Sequence, residues 1–285
     1  MLPASLSARA VPARCALGGG QLEIPMRSLT PAFALLFAAC TGADTGSTET
    51  GGTETGSGGE DTGFPDRTAV CSEATAIACE DAMVQELSLH DDKVNKGEVT
   101  TTTEGTDFVT LVDATSGGSS GATKNAWVYV HFSETGAEKL EIDDESALTD
   151  LGWHLALRRY VLRLNGGDGG PSCVGASPLP RKTYEELSVD DVEGAEFELE
   201  DFYSDTCKLD TDQIGTVLTT MSDWYDYQTC VATTDTPFLI QLEDGHVIKL
   251  VVESYYDGEG QAECNDGGST DFDGGWLTLR WAYVY

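Results

Sequence analysis

From Trp127 onward, apolar and polar residues repeat with a period of two, the pattern of half-buried strands. Residues Trp127–Phe132 (WVYVHF) and Ala137–Ile142 (AEKLEI) flank Ser133-Glu134-Thr135-Gly136, which predicts a hairpin with glycine at its turn. The run Trp153–Leu164 (WHLALRRYVLRL) alternates throughout and predicts one strand ending at Asn165-Gly166-Gly167. On that strand Arg158 and Arg159 face opposite ways, and Arg163 shares a face with Arg159. Phe238–Leu242 and Val247–Ser254 are joined by Glu243-Asp244-Gly245-His246, where Asp-Gly suits a tight primed turn. Trp276–Tyr285 alternates to the last residue, so the C-terminus should be paired in a sheet. The predicted fold class is all-β: a single antiparallel domain over residues 67–285 with only short helical pieces.

The N-terminal part follows other rules. Met26-Arg27-Ser28-Leu29-Thr30-Pro31 and the apolar run Ala32–Cys40 (AFALLFAAC) give a basic start, a short hydrophobic stretch and small residues before a cysteine. That is the form of a bacterial lipoprotein export signal, with residues 26–39 removed and Cys40 lipidated, although Phe37 stands where leucine is usual. Residues 1–25 carry no periodicity, and the expected start is Met26, with 1–25 a mis-assigned upstream extension. Residues 41–66 consist almost entirely of Thr, Gly, Ser, Asp and Glu, a composition that cannot bury enough apolar surface to order itself. With Cys40 they form the expected tether, 40–66.

Charge narrows the functions. The chain has 285 residues, 16 Lys+Arg and 49 Asp+Glu, a formal charge of −33. Such a field repels phosphate backbones, so nucleic acid is excluded as a partner. The domain holds six cysteines, Cys71, Cys79, Cys173, Cys207, Cys230 and Cys264, and behind an export signal these read as a disulfide framework. Many pairings are open; the one expected joins Cys207 to Cys230 and Cys173 to Cys264, leaving Cys71 for Cys79. An unbroken helix over 72–87 would hold that last pair about 12 Å apart, beyond disulfide reach, so the pair requires a bend there.

The run LGWHLALRRYVLRLNGGDGGPSCVGA (Leu151–Ala176), preceded by VYVHFSETGAEKLEI, resembles the central signature of the HmuY family of haem-binding surface lipoproteins. Its marks are a Trp-led strand with an Arg-Tyr pair, then Asn-Gly and a glycine-rich loop. PFLIQLEDGHVIKLVVESYY (Pro237–Tyr256) is similar to the family's closing hairpin, and the likeness covers roughly residues 98–285. The resemblance implies an all-β lipoprotein exported to the outer membrane or cell surface. It also implies haem held between two axial histidines or methionines and passed to an outer-membrane receptor. By similarity the ligand positions fall within Glu196–Asp212 and near Thr229 and Cys230. Neither stretch contains His or Met.

Other residues then become the haem candidates: Met221, a soft thioether; Tyr203, Tyr225 and Tyr227, which can stack on a flat ligand or ligate iron as phenolates; and His154, which follows the signature Trp. Each has a commoner structural role as core packing, sheet aromatic or buried histidine. His131 and His246 read as structural or solvated. Arg158, Arg159 and Arg163 can hold a carboxylate, but pairing with the domain's own acids is the commoner outcome. Asp266, Asp271 and Asp273 partly imitate a calcium loop, yet Arg280 stands where its last ligand should be. Gly117-Gly118-Ser119-Ser120-Gly121 matches G-x-S-x-G outside the strand-to-helix context that a nucleophile elbow needs. No catalytic constellation is present, and an enzyme is not expected. Two readings remain: a surface-anchored haem or tetrapyrrole carrier for iron acquisition, and a non-haem surface module binding protein or glycan on the same scaffold.

Overall fold

Two antiparallel sheets carry the fold of the computed structural model, which describes residues 68–115, 125–227, 229–269 and 271–284. The larger sheet is built from β1 (Val99–Glu104), β2 (Asp107–Asp113), β7 (Gly175–Pro178), β10 (Phe238–Gln241), β11 (Val247–Tyr256) and β12 (Gly274–Tyr283), in the order β1-β2-β12-β11-β10-β7. The smaller sheet contains β3 (Val128–Ser133), β4 (Gly136–Leu140), β5 (Leu155–Arg158) and β6 (Val161–Leu164), in the order β4-β3-β5-β6. A two-stranded ribbon joins β8 (Tyr225–Tyr227) to β9 (Val231–Thr233). Three short helices, α1 (Glu80–Glu86), α2 (Val189–Val192) and α3 (Gly260–Asn265), and three single 3-10 turns, Ser146–Leu148, Tyr184–Glu186 and Ser222–Trp224, complete the described elements. Among the described residues no helix is long and apolar enough to cross a membrane.

Alternation explains the packing. Val128, Val130, Phe132, Leu155, Leu157, Leu162 and Leu164 of the small sheet meet Phe238, Ile240, Ile248, Leu250, Leu277, Leu279 and Trp281 of the large one in a single buried cluster. The opposite face of the small sheet, with Trp127, Tyr129 and Ala156, is also buried. It lies under Met83 and Leu87 from α1 and its end, and under Phe202, Tyr203 and Val217 from the 202–217 segment.

The hairpin at 133–136 and the paired C-terminal strand form as the sequence predicts, with Ser133 opposite Gly136 and Ile248 opposite Tyr283. Elsewhere the structure corrects the expectations. The predicted strand 153–164 is a hairpin, with Arg158 opposite Val161 and Arg159-Tyr160 as its two-residue turn. Arg159 has φ +54°, at the position where a type II′ turn takes glycine. The fold-back puts Arg163 on the same face as Arg158, not Arg159, and both guanidiniums stack on Trp127. In the 242–246 turn only Gly245 has positive φ (+89°), whereas a primed Asp-Gly turn needs it at Asp244.

The disulfides also differ from the expected set. They join Cys71 to Cys173, Cys79 to Cys207, and Cys230 to Cys264, with Cα separations of 6.1, 5.4 and 6.0 Å. The segment before α1 runs along the glycine-rich loop, where Thr75 N–H donates to Pro171 O at 2.7 Å, and this brings Cys71 to Cys173. Cys79 then meets the 202–217 cover. Gln261 in α3 donates to Val231 O at 3.1 Å, which places Cys264 beside Cys230.

Candidate functional site

Arg163 organises the covered face of the small sheet. Its side chain is fully buried, with the guanidinium carbon 4.7, 5.9 and 5.1 Å from the ring centroids of Trp127, Tyr129 and Trp153. It donates to Gly169 O at 2.8 Å and to the Tyr129 hydroxyl at 3.1 Å, and that hydroxyl lies 3.1 Å from Asp144 Oδ1. Asp144 also accepts from Trp127 N (2.9 Å) and His90 N (3.0 Å), so the buried cation and carboxylate communicate through one phenol. Desolvation pushes the Asp144 carboxyl up in pKa and the Tyr129 phenol far up. The glycine-rich loop of the signature serves this chamber: a Cβ on Gly170 would collide with the Asn165 amide and the Trp153 ring. Its role here is scaffolding.

Open space lies at the far end of the β5–β6 hairpin. A cavity of about 180 Å³ is lined by Trp127, Arg158, Arg159, Tyr160, Val161 and Leu209, with Glu86, Leu87 and residues 215–217 completing its wall. The Arg159-Tyr160 turn is held by Trp224 Nε1, which donates to Tyr160 O at 3.0 Å, and the Tyr160 hydroxyl lies 3.3 Å from Thr216 Oγ1. On the other side of the 212–217 loop is a cleft of about 400 Å³, lined by Asp212, Ile214, Leu218, Asp223, Tyr225 and Tyr227, among others. Tyr160 packs 5.3 Å from Tyr225 and 6.4 Å from Tyr227 between ring centroids. Ile214 and Tyr227 are 58% and 50% exposed, so this cleft presents apolar surface to solvent.

The candidates named from the sequence do not gather at one place. Met221 is fully buried in the core between the sheets. His154 is buried beneath β3: its Nδ1 accepts from Phe132 N at 2.9 Å, and its Nε2 lies 2.8 Å from Glu243 Oε2, too far off line for a good hydrogen bond. The ring packs at a tilt 4.4 Å from that of His131, whose Nδ1 donates to Gly152 O at 2.6 Å. His246 sits in the β10–β11 turn, 2.8 Å from Asp244. Tyr203 is buried in the cover, and burial together with Glu86 pushes its phenol well up. Tyr225 lines the open cleft, with its phenol pushed up to about 12, chiefly by desolvation. Among the described residues no three His, Cys, Asp or Glu side chains converge as a metal site, so Asp266, Asp271 and Asp273 do not form one. Residues 1–67 and 116–124, with Cys40 and the G-x-S-x-G match, lie outside the described residues. Sequence reasoning did not nominate Tyr160, Trp127 or Thr216. The Arg-Tyr pair of the signature was the available signal for Tyr160.

The HmuY protein family model matches residues 123–266, just over half of the chain. The chain belongs to the HmuY family. Solved structures similar to this HmuY-family chain include a candidate lipoprotein from Bacteroides fragilis, at 15% identity over 66% of this chain and 95% of that one, TM-score 0.39. A candidate HmuY-like haem-binding protein from Bacteroides vulgatus shows 13% identity over 66% and 98%, TM-score 0.39. The apo HmuY analog of Tannerella forsythia shows 13% over 68% and 100%, TM-score 0.38. No curated protein matches the chain.

Among the described residues, the candidates named from the sequence do not form a pair of axial haem ligands. Met221 and His154 are enclosed by core packing, and His131 and His246 stand in separate places. Tyr225 would need a deprotonated phenol at a site that disfavours it. The tyrosine cleft can instead offer ring faces and aliphatic contacts to a flat molecule.

Proposed function

We propose that this protein is an exported, Cys40-anchored binding protein of the HmuY family that takes a flat tetrapyrrole by stacking, without axial ligation of iron. The observation that carries the reading is the exposed apolar cleft at Ile214, Leu218, Tyr225 and Tyr227, in the size range of small-molecule sites. Membership of the HmuY family supports a tetrapyrrole as the ligand class and a role in nutrient uptake. A titration of the full chain with haemin and with iron-free protoporphyrin IX, followed by absorption and fluorescence, tests it. The expected result is saturable binding of both with similar affinity, weakened at least tenfold by Tyr227→Ala. Absence of saturable binding by either porphyrin would reject the reading. Loss of fatty-acid labelling in Cys40→Ala is expected, and retained labelling would remove the anchor.

A second reading, a surface module for a protein or glycan partner, is favoured by the acids around the same cleft. Asp212, Asp223 and Asp226 set negative charge where the carboxylates of a tetrapyrrole would approach.

A further inference from the structure

Arg158 is one of 16 basic residues in a chain with 49 acidic ones. Among the described residues no carboxylate oxygen forms an ion pair with it, nor with its neighbours Arg159 and Arg163, whereas Lys139 and Lys182 have one each and Arg280 has three. Its guanidinium carbon lies 4.5 Å from the Trp127 ring centroid, and its one hydrogen bond is a long 3.5 Å contact to Ser88 O. A guanidinium has five N–H donors, so among the described residues most of these donors have no protein acceptor. Asp144 attracts it electrostatically, but the Asp144 oxygens are engaged by Trp127 N, His90 N and Tyr129. Arg163, which shares the Trp127 ring, is a second buried cation and adds repulsion.

Arg158 lines the 180 Å³ cavity, where one part of the wall is apolar (Leu87, Val161, Leu209, Val217 and the Trp127 indole) and the rest is Arg159, Tyr160, Thr216 and Glu86. Burial lowers the Arg158 pKa to about 10, and the group remains cationic at neutral pH. A half-desolvated guanidinium with unmet donors calls for a planar anion with two acceptor oxygens. On the same wall Arg159 and Glu86 offset one another, which leaves one net positive charge for one negative group.

We infer that this cavity is a binding site for a monocarboxylate with a short apolar body, its carboxylate on Arg158 and its body against Leu87, Val161, Leu209 and Val217. The carboxylate can belong to a free small acid or to an arm of a larger ligand lying over the β5–β6 turn. The site does not depend on the tetrapyrrole reading, because it is separated from the tyrosine cleft by the 212–217 loop.

The test is a titration of the full chain with hexanoate and with uncharged hexanamide at fixed ionic strength, followed by the Trp127 indole N–H resonance. Saturable hexanoate binding that shifts this resonance is expected, with hexanamide at least tenfold weaker. Arg158→Met should lose at least tenfold in hexanoate affinity. Leu209→Trp, which fills the cavity from its wall and leaves Arg158 in place, should do the same and carries the test if Arg158→Met does not fold. Absence of saturable hexanoate binding, equal binding of the amide, or wild-type affinity in the folded variants would overturn the site. Displacement of hexanoate by haemin but not by its dimethyl ester would place a tetrapyrrole arm in the cavity. Hexanoate binding without any porphyrin binding would keep this site and reject the tetrapyrrole reading alone.

Discussion

The two faces of the small sheet are made by alternate residues of the same strands, yet they hold the protein together in different ways. Toward the large sheet, Val128, Val130, Leu155, Leu157 and Leu162 present hydrocarbon alone. Toward the 202–217 cover, Trp127, Tyr129 and Trp153 surround Arg163, with Asp144 behind the Tyr129 hydroxyl. The first face needs only volume and shape, and volume-conserving changes are tolerated there. The second needs particular partners, because each buried polar atom must meet its complement or cost free energy. The binding cavity opens beside the second face, with Trp127 common to both.

The comparison breaks most sharply at Asp144. Asp144→Ala removes the carboxylate that the Tyr129 hydroxyl links to Arg163 and leaves Trp127 N and His90 N without their acceptor, and the expected loss is about 4 kcal/mol, since removing one member of a buried charged network costs far more than the network contributes. Urea denaturation followed by tryptophan fluorescence measures it. Combining Asp144→Ala with Arg163→Met should cost much less than the two single changes summed, because both act on one network. Additive losses would mean that Arg163 is balanced elsewhere.

On the hydrocarbon face, Leu157→Ala should cost about 3 kcal/mol and Leu157→Met less than about 1.5. Equal losses from the two would show that this face also requires specific partners. The cover depends on a covalent tie as well. Replacing Cys79 and Cys207 by serine releases a link between residues 128 positions apart and should cost about 2 to 3 kcal/mol. Hydrogen exchange should rise first in α1 and the 202–217 segment, leaving β11 and β12 protected. Uniform loss of protection would instead make the two faces one cooperative unit.

The difference between the faces also decides what the sequence could reveal. The hydrocarbon face was legible because alternation and turn chemistry are local: Ser133–Gly136 and the C-terminal strand form as expected. The β5–β6 turn was hidden because Arg159-Tyr160 keeps the alternation going and offers no Gly, Asn or Asp, although Arg159 takes up φ +54°. The disulfide pairs were not legible, since two of them span 102 and 128 residues and depend on where the cover is laid. Three arginines were visible in the strand run. What separates a caged Arg163 from a cavity-lining Arg158 depends on Trp127, Met83 and Ser88, brought in from distant segments.

Glu200 gives the finest probe of the polar face, because its effect can be tuned by pH alone. Its carboxylate accepts from Leu164 N (2.8 Å), Thr220 N (2.8 Å) and Thr220 Oγ1 (3.1 Å), pinning β6 to the segment that leads into the tyrosine cleft. Burial outweighs these donors and raises its pKa from 4.5 to about 7. The folded protein therefore holds this proton more tightly than the unfolded chain. The associated stability is fully present below pH 4.5 and is lost as pH rises through about 7. Between pH 5 and pH 7 this group alone should lower unfolding stability by about 2 kcal/mol. Glu200→Gln removes the titration while keeping the shape, so its stability should fall less over that interval, offset by a small constant loss where the amide NH₂ replaces an acceptor oxygen. Parallel stability–pH curves for the two proteins would show that Glu200 is ionised throughout, and that the three donors outweigh burial on this face.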